Sequence, residues 1–141
     1  MLPDTASVDG LRHLIEHIQD AVVAFELVDG LPVVRGVNEA FVEQFGYPRE
    51  EVLGTDLNER IVPPWCREEA SALDRRTASG EINYQQVQRQ TASGLREFLY
   101  RGIPYTDSED LVDGYAVYTD LTETTQRERQ LKVLNRLLRH N

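Results

Sequence analysis

Residues 37–54 constrain the fold of this chain more than any other segment. Their pattern predicts the end of a strand, a capped helix, a Gly-Tyr-Pro break and a second short helix. Asn38 can cap the first helix, because its side-chain oxygen can accept a hydrogen bond from a backbone N–H of the first turn. Phe41 and Phe45 are four residues apart and therefore share one helix face, and Gly46 ends the helix. The segment predicts two short helices that pack an aromatic stripe against a core.

Two strands are predicted before this segment, at 21–27 and 33–37, and Asp29-Gly30 between them is a strong hairpin turn. Farther upstream, the apolar residues alternate between spacings of three and four. This pattern predicts a helix over 8–18 with a coiled-coil-like seam formed by Val8, Leu11, Ile15 and Ile18.

The second half of the chain predicts another helix and three more strands. The helix covers 65–79 and ends at Gly80. The strands cover 82–91, 96–105 and 111–119, and a last helix starts near residue 122.

Two motifs give the chain a resemblance to a known family. The first, N-x-A-F…G-Y…E-E-x-L-G, resembles the signature of PAS domains, which are sensory modules of signalling proteins. Its residues are Asn38, Ala40, Phe41, Gly46, Tyr47, Glu50, Glu51, Leu53 and Gly54. The second, Asp120-Leu121-Thr122, resembles the D-[IL]-T element at which PAS domains continue into an output helix.

The resemblance implies an α+β fold, with a five-stranded antiparallel sheet, helices on one of its faces, and flanking helices at both ends. It divides the chain into an N-terminal flanking helix at 1–19, a PAS sensor domain at 20–121 and a C-terminal signalling helix at 122–141. It also implies signal transmission through Asp120 and Thr122. Either residue can cap the last helix, so strand and helix are joined without a flexible linker and the helix can move as a lever.

The last helix carries an apolar stripe formed by Leu131, Leu134 and Leu138. One interpretation is that this helix and the N-terminal one pair two copies of the chain into a homodimer. The alternative is an amphipathic helix folded back on its own sheet.

His140 follows this stripe, as in the phosphoacceptor helix of archaeal-type sensor histidine kinases, which the chain's end resembles. An imidazole nitrogen is a competent nucleophile near neutral pH. The alternative is a surface histidine near the end of a frayed helix. The sequence shows no ATP-lid or kinase Asn box, so we predict that this chain alone is not an enzyme, and that a kinase or other output domain lies downstream in a parent protein.

Strand alternation and the helix stripe predict the lining of an interior space. Such a wall suits a small aromatic or weakly polar ligand, but the same residues would equally fill a core without any ligand. The predicted lining residues are Val23, Phe25, Phe41, Phe45, Leu53, Leu73, Tyr84, Gln86, Phe98 and Tyr100.

The sequence favours neither flavin nor haem as a cofactor, and it predicts no metal site. Cys66 shares only a Cys-Arg pair with the flavin-binding box of the light-sensing LOV branch of the family, and residues 65–79 contain no histidine that could ligate a haem. His13 and His17 have a spacing that could hold a metal, but no third ligand is convincingly placed beside them.

The net charge of −9, from 24 acidic and 15 basic residues, disfavours a nucleic-acid partner. Lys132 is the only lysine among the basic residues. An acidic, arginine-rich surface is typical of salt-loving archaea, although a genome rich in G and C would also favour arginine. We find no apolar run that could span a membrane and expect a cytoplasmic sensory module of a histidine kinase; a ligand-free dimerisation module of a transducer or transcription regulator is the alternative.

Overall fold

The computed structural model describes residues 13–107 and 112–139. A short helical segment at 13–17 comes first. It falls inside the predicted helix at 8–18, of which residues 8–12 lie outside the described residues. The elements that follow are β1 (Ala21–Val28), β2 (Leu31–Val37), α1 (Glu39–Phe45), α2 (Arg49–Val52), α3 (Leu57–Ile61), a 3-10 turn (Pro64–Cys66), α4 (Arg67–Ala78), β3 (Asn83–Thr91), β4 (Gly94–Asp107), β5 (Val112–Asp120) and α5 (Thr122–Arg139).

The five strands form one sheet in the order β2-β1-β5-β4-β3, and every neighbouring pair is antiparallel. The helices α1, α3 and α4 pack on this sheet, α1 against β1, α3 against β2 and α4 against β4 and β5. The predicted α+β architecture, an antiparallel sheet with helices, is confirmed. The last strand lies at the centre of the sheet, between β1 and β4, so it contacts both halves of the molecule.

The predicted hairpin between β1 and β2 is also confirmed. Asp29 and Gly30 have φ angles of 52° and 81°, the left-handed values that a two-residue hairpin turn of type I′ requires.

Asn38 caps α1 as predicted, and it does more than cap. Its Oδ1 accepts from the backbone N–H of Phe41 at 3.0 Å and from that of Val22 at 2.9 Å. Its Nδ2 donates to the carbonyl oxygens of Ile15 and Asp20, both at 2.9 Å. A single buried amide therefore holds together β1, α1 and the segment that precedes the sheet.

The core is a stack of aromatic rings between α1 and the sheet. Ring centroids lie 4.7 Å apart for Phe41 and Phe45, and 4.8 Å apart for Phe45 and Phe98. The Tyr118 ring meets Phe45 and Phe98 edge-on, and Tyr100 at a tilt, at 5.4 to 5.9 Å. Offset-stacked and edge-to-face pairs are the favourable geometries for aromatic side chains. This cluster therefore packs α1 against β4 and β5.

Candidate functional site

Most of the predicted lining residues meet inside the domain. They are fully or almost fully buried and belong to one continuous core: Val23, Phe25, Phe41, Phe45, Leu73, Phe98 and Tyr100. Their rings and methyl groups pack against one another, which is the filled-core alternative of the sequence analysis.

Three predicted lining residues are on the surface instead. Leu53 is 42 % exposed, because the four-residue helix α2 turns Val52 inward rather than its neighbour. Tyr84 is 77 % exposed and Gln86 is exposed, with its Nε2 donating to Glu97 at 2.9 Å. Alternation along β3 points Val87 inward and therefore points both of these residues outward. The prediction that Leu53, Tyr84 and Gln86 line the interior space is wrong.

The charged groups of the interior, those of Arg89 and Asp74, belong to residues that the sequence analysis missed. Arg89, on β3, is 1 % exposed. Its Nη1 donates to the carbonyl oxygen of Gln88 at 2.8 Å, and its Nε has no hydrogen-bond partner among the described residues. Val87 and Arg89 are two residues apart and so share a face of β3, which is the signal that could have placed this arginine inside.

Asp74, on α4, is the second buried charge. It is 6 % exposed and accepts a hydrogen bond from Asn58 Nδ2 at 3.2 Å. Burial raises the pKa of Asp74 from 3.8 to about 7, although the hydrogen bond from Asn58 and the charge of Arg89 oppose the rise. Burial likewise raises the pKa of Tyr118 to about 12, and it also raises the pKa of Tyr100. This interior disfavours negative charge on all three groups.

Thr77 fixes α4 closely against the sheet. Its Oγ1 lies 3.2 Å from the Tyr100 hydroxyl and accepts from Asn83 Nδ2 at 3.0 Å. The close approach of Thr77 to the sheet requires glycine at positions 102 and 114. A Cβ on Gly102 would lie 2.1 Å from Thr77 Oγ1, and a Cβ on Gly114 would lie 2.6 Å from Thr77 Cγ2. The helix and the sheet are in direct contact here.

The second functional region is the junction between β5 and α5. Asp120 accepts two hydrogen bonds there: one carboxylate oxygen accepts from the backbone N–H of Thr122 at 2.9 Å, and the other from Arg96 at 3.0 Å. The first contact is a helix cap and the second is a half-exposed ion pair across to β4. The structure thus brings Asp120 and Thr122 together at the start of the helix.

Glu97, on β4, holds the first turns of α5 from the other side. Its carbonyl oxygen accepts from the backbone N–H of Leu121 at 2.8 Å, and its N–H donates to Thr122 Oγ1 at 3.1 Å. Its carboxylate pairs with Arg129 at 3.1 Å. Leu121 is therefore the single residue between the end of β5 and the start of α5, and hydrogen bonds to Glu97 attach this junction to β4.

Beyond these contacts α5 leaves the sheet. Its apolar side chains are between 51 % and 64 % exposed, namely Leu131, Val133, Leu134, Leu137 and Leu138. The alternative of a helix folded back on its own sheet is wrong. His140 lies outside the described residues.

The remaining candidate ligands, Cys66, His13 and His17, do not belong to a metal-binding cluster within the described residues. Cys66 is a free thiol in the 3-10 turn, partly buried and packed against the core. His13 and His17 are exposed, with ring centroids 4.5 Å apart. Within 13–107 and 112–139, no three His, Cys, Asp or Glu side chains are grouped as metal ligands would be. No helix there has the length and apolar character needed to cross a bilayer.

The chain matches a family model described as the PAS fold, over residues 15–126. No curated protein matches the chain in sequence. Among solved structures, an RNA-binding Light-Oxygen-Voltage receptor is similar over 99 % of this chain and 40 % of its own, at 24 % identity and a TM-score of 0.70. The chain thus spans less than half of that receptor.

Two further solved structures come from signalling proteins. The PAS domain of an HTR-like protein from Haloarcula marismortui is 18 % identical, with a TM-score of 0.65, covering 82 % of this chain and 93 % of that one. A domain of a sensory box sensor histidine kinase/response regulator from Geobacter sulfurreducens is 20 % identical, with a TM-score of 0.63. The match covers 79 % of this chain and 92 % of that one. At these identities the likeness shows the fold, and the family model covers most of the chain. The chain belongs to the PAS family of sensory domains.

Proposed function

We propose that this chain is the sensory module of a cytoplasmic histidine kinase, and that it relays a packing change in its interior to the output helix α5. The observation that carries the proposal is the junction at Asp120. There a single carboxylate caps the helix and pairs with Arg96 of the neighbouring strand. A shift of β5 relative to β4 would therefore alter the start of α5 directly.

The path from the interior to this junction is short. Tyr118 lies in the aromatic core and is two residues before Asp120 on the same strand. It pairs in register with Tyr100 of β4, as Asp120 does with Phe98. A repacking of Phe45, Phe98 or Tyr118 would thus move the strand that ends at the junction. A difference of a few kcal/mol between two packings is enough to shift their populations.

The input is either a small, weakly polar ligand or strain from an upstream module. The filled aromatic stack favours strain or a ligand that repacks the core. We propose no flavin, because the rings of Phe41, Phe45 and Phe98 already pack against one another with centroids less than 5 Å apart. The flavin and RNA chemistry of the Light-Oxygen-Voltage proteins is therefore not part of the proposal, and the net charge of −9 also argues against RNA.

The output side of the proposal places a kinase core after α5, with His140 as the phosphoacceptor. The exposed apolar stripe of α5 supports pairing of two copies, because a lone surface helix rarely exposes so many large apolar side chains. The acidic, arginine-rich composition supports an origin in a salt-loving archaeon. The ligand-free dimerisation module remains the second candidate, and the same apolar stripe supports it.

A chimera tests the relay. The chain is joined through α5, in heptad register, to the catalytic core of a PAS-regulated histidine kinase, and autophosphorylation is measured. Asp120→Ala should leave the fold intact and shift the kinase to an activity at least several-fold different from wild type. Glu26→Ala is the matched control, because Glu26 pairs with Arg35 at 2.6 Å on the hairpin, far from the junction. Equal activities for Asp120→Ala and wild type would contradict the relay and leave the dimerisation module as the better account.

A further inference from the structure

The buried Asp74 and Arg89 form the most unusual cluster of the interior. Ionisable side chains are rarely buried this completely, and when they are they normally have several polar partners. Asp74 has one hydrogen bond from Asn58, and Arg89 leaves its Nε unpaired among the described residues. The two side chains interact electrostatically, and Arg89 also hydrogen-bonds Tyr118, so a change in the charge of Asp74 acts on Arg89 and on the groups that Arg89 contacts.

The groups that face Asp74 come from every element around it. Asp56 and Asn58 approach from the start of α3, Arg89 from β3, and Arg75 lies next to it on α4. Tyr100 of β4 and Tyr118 of β5 also sense its charge. Three of these groups, Asp56, Tyr100 and Tyr118, are negative or become negative on ionisation, so the surroundings do not fully compensate an ionised Asp74.

The cluster is also connected to the contact between α4 and the sheet. One turn beyond Asp74 on α4, Thr77 contacts the Tyr100 hydroxyl at 3.2 Å. Tyr100 contacts the Tyr118 ring at 5.6 Å between centroids, and Tyr118 lies two residues before Asp120. The charge on Asp74 therefore acts on side chains that pack α4 against β4 and β5.

We propose that Asp74 is a proton-binding site whose occupancy changes the packing of α4 on the sheet and of Tyr118 on β5, so that the interior of the domain senses pH. When Asp74 binds a proton, its carboxyl group is neutral and no longer attracts the guanidinium of Arg89. When the proton leaves, a carboxylate is drawn to the guanidinium and away from the phenol oxygens. This switch operates within the chain itself, whatever output domain follows α5.

The sign of the pH effect follows from the direction of the shift. The pKa of Asp74 is higher in the folded chain, at about 7, than its ordinary value of 3.8. The folded state therefore holds this proton more tightly, and the contribution of Asp74 to stability is present below pH 4 and is lost as the pH rises to 7. Between these values the folding equilibrium constant should fall by up to about tenfold per pH unit because of this residue alone.

The test is an NMR titration of the wild-type chain between pH 4 and 9, observing side-chain carboxyl carbons, the Tyr118 ring and the Leu121 amide. The Asp74 carboxyl should titrate near pH 7, and the Tyr118 and Leu121 signals should shift with the same midpoint. In Asp74→Asn these shifts near pH 7 should disappear. Glu68→Gln is the matched control, because Glu68 is an exposed acid on the same helix, and its shifts should equal those of wild type.

Two results would overturn the switch. One is an Asp74 carboxyl that titrates below pH 5 in the folded wild-type chain. The other is an Asp74 midpoint near 7 with Tyr118 and Leu121 signals that do not follow it. Because the wild-type titration carries both outcomes, the test holds even where Asp74→Asn folds poorly. Kinase output is not measured, so failure here is distinct from failure of the relay in the chimera.

Discussion

Arg89 illustrates how single residues determine the character of this interior. A guanidinium cannot be deprotonated in a protein, so its burial imposes a permanent positive charge on the core. Asp74 is a buried acid whose charge opposes it, and the buried Tyr100 and Tyr118 interact with both charges. The predicted lining contained no charged residue, whereas the observed interior contains both Asp74 and Arg89.

Gly102 is the residue at which the contact between α4 and the sheet can be tested. Gly102→Ala should destabilise the chain by about 1–3 kcal/mol, because the new methyl group would lie 2.1 Å from Thr77 Oγ1 and 2.8 Å from the Tyr100 hydroxyl. Urea unfolding measures the change. Gly36→Ala is the control, because its Cβ would meet only Ala24 at an ordinary 3.8 Å.

A double variant separates overpacking from other effects at this site. If the clash with Thr77 causes the loss, Thr77→Ala should weaken the effect of Gly102→Ala, and the two substitutions should be non-additive. Strictly additive losses would show that α4 does not press on Gly102 in solution.

The residues that sequence reasoning placed correctly are those with a local cause. Asn38 and Gly46 act within a few residues of their position, and Phe41 and Phe45 follow the helix period. Tyr84 and Gln86 were misplaced because the alternation of β3 can be counted in either of two registers, and only tertiary packing decides between them. The burial of Arg89 could have been inferred from its spacing of two from Val87, but its interaction with Asp74, 15 positions away, leaves no local pattern.

At the scale of elements, the helix α5 is distinguished by a row of exposed apolar side chains. Near its start, α5 contacts β4 through the side chains of Thr122 and Arg129. The predicted start of the helix could be derived from sequence because a capping residue follows a strand directly. Its direction away from the sheet could not, since an amphipathic stripe is equally compatible with packing against its own domain.

The stripe on α5 predicts self-association that a single charge should weaken. Leu134→Asp should raise the dissociation constant of the homodimer by about a hundredfold, because each copy would place a charge where an apolar side chain is buried. Sedimentation equilibrium measures this constant. Lys132→Gln changes the net charge by the same amount on another face of α5 and should have a small effect. A chain that is monomeric at all concentrations would contradict pairing through this helix.

At the scale of the whole molecule, charge is the dominant feature. The chain carries 24 acidic and 15 basic residues, and several of the arginines form surface ion pairs, among them Arg49 with Glu16 at 2.7 Å and Arg101 with Asp20 at 2.8 Å. Exposed pairs of this kind contribute little stability each, so the excess of negative charge remains as a repulsive field over the surface.

This excess predicts a stability that rises with salt. Raising KCl from 0.1 M to 1 M shortens the screening length from about 10 Å to about 3 Å, which removes most repulsion between exposed carboxylates. We expect the melting temperature to rise by at least about 5 °C, measured by circular dichroism. A PAS domain with balanced charge, measured in parallel, controls for the general effect of salt on apolar burial. A melting temperature that rises no more than that of the control would favour genome composition as the reason for the arginines.

The relay from the interior to α5 is tested most directly by amide hydrogen exchange at the junction. The protection of the Leu121 amide, which donates to Glu97 at 2.8 Å, is measured at one pH in wild type, Asp74→Asn, Asp120→Ala and the double variant. If the interior is coupled to the junction, Asp74→Asn should change the protection of the Leu121 amide when Asp120 is present. The same substitution should leave this protection unchanged when residue 120 is alanine. An equal change in both backgrounds, or no change in either, would contradict the relay.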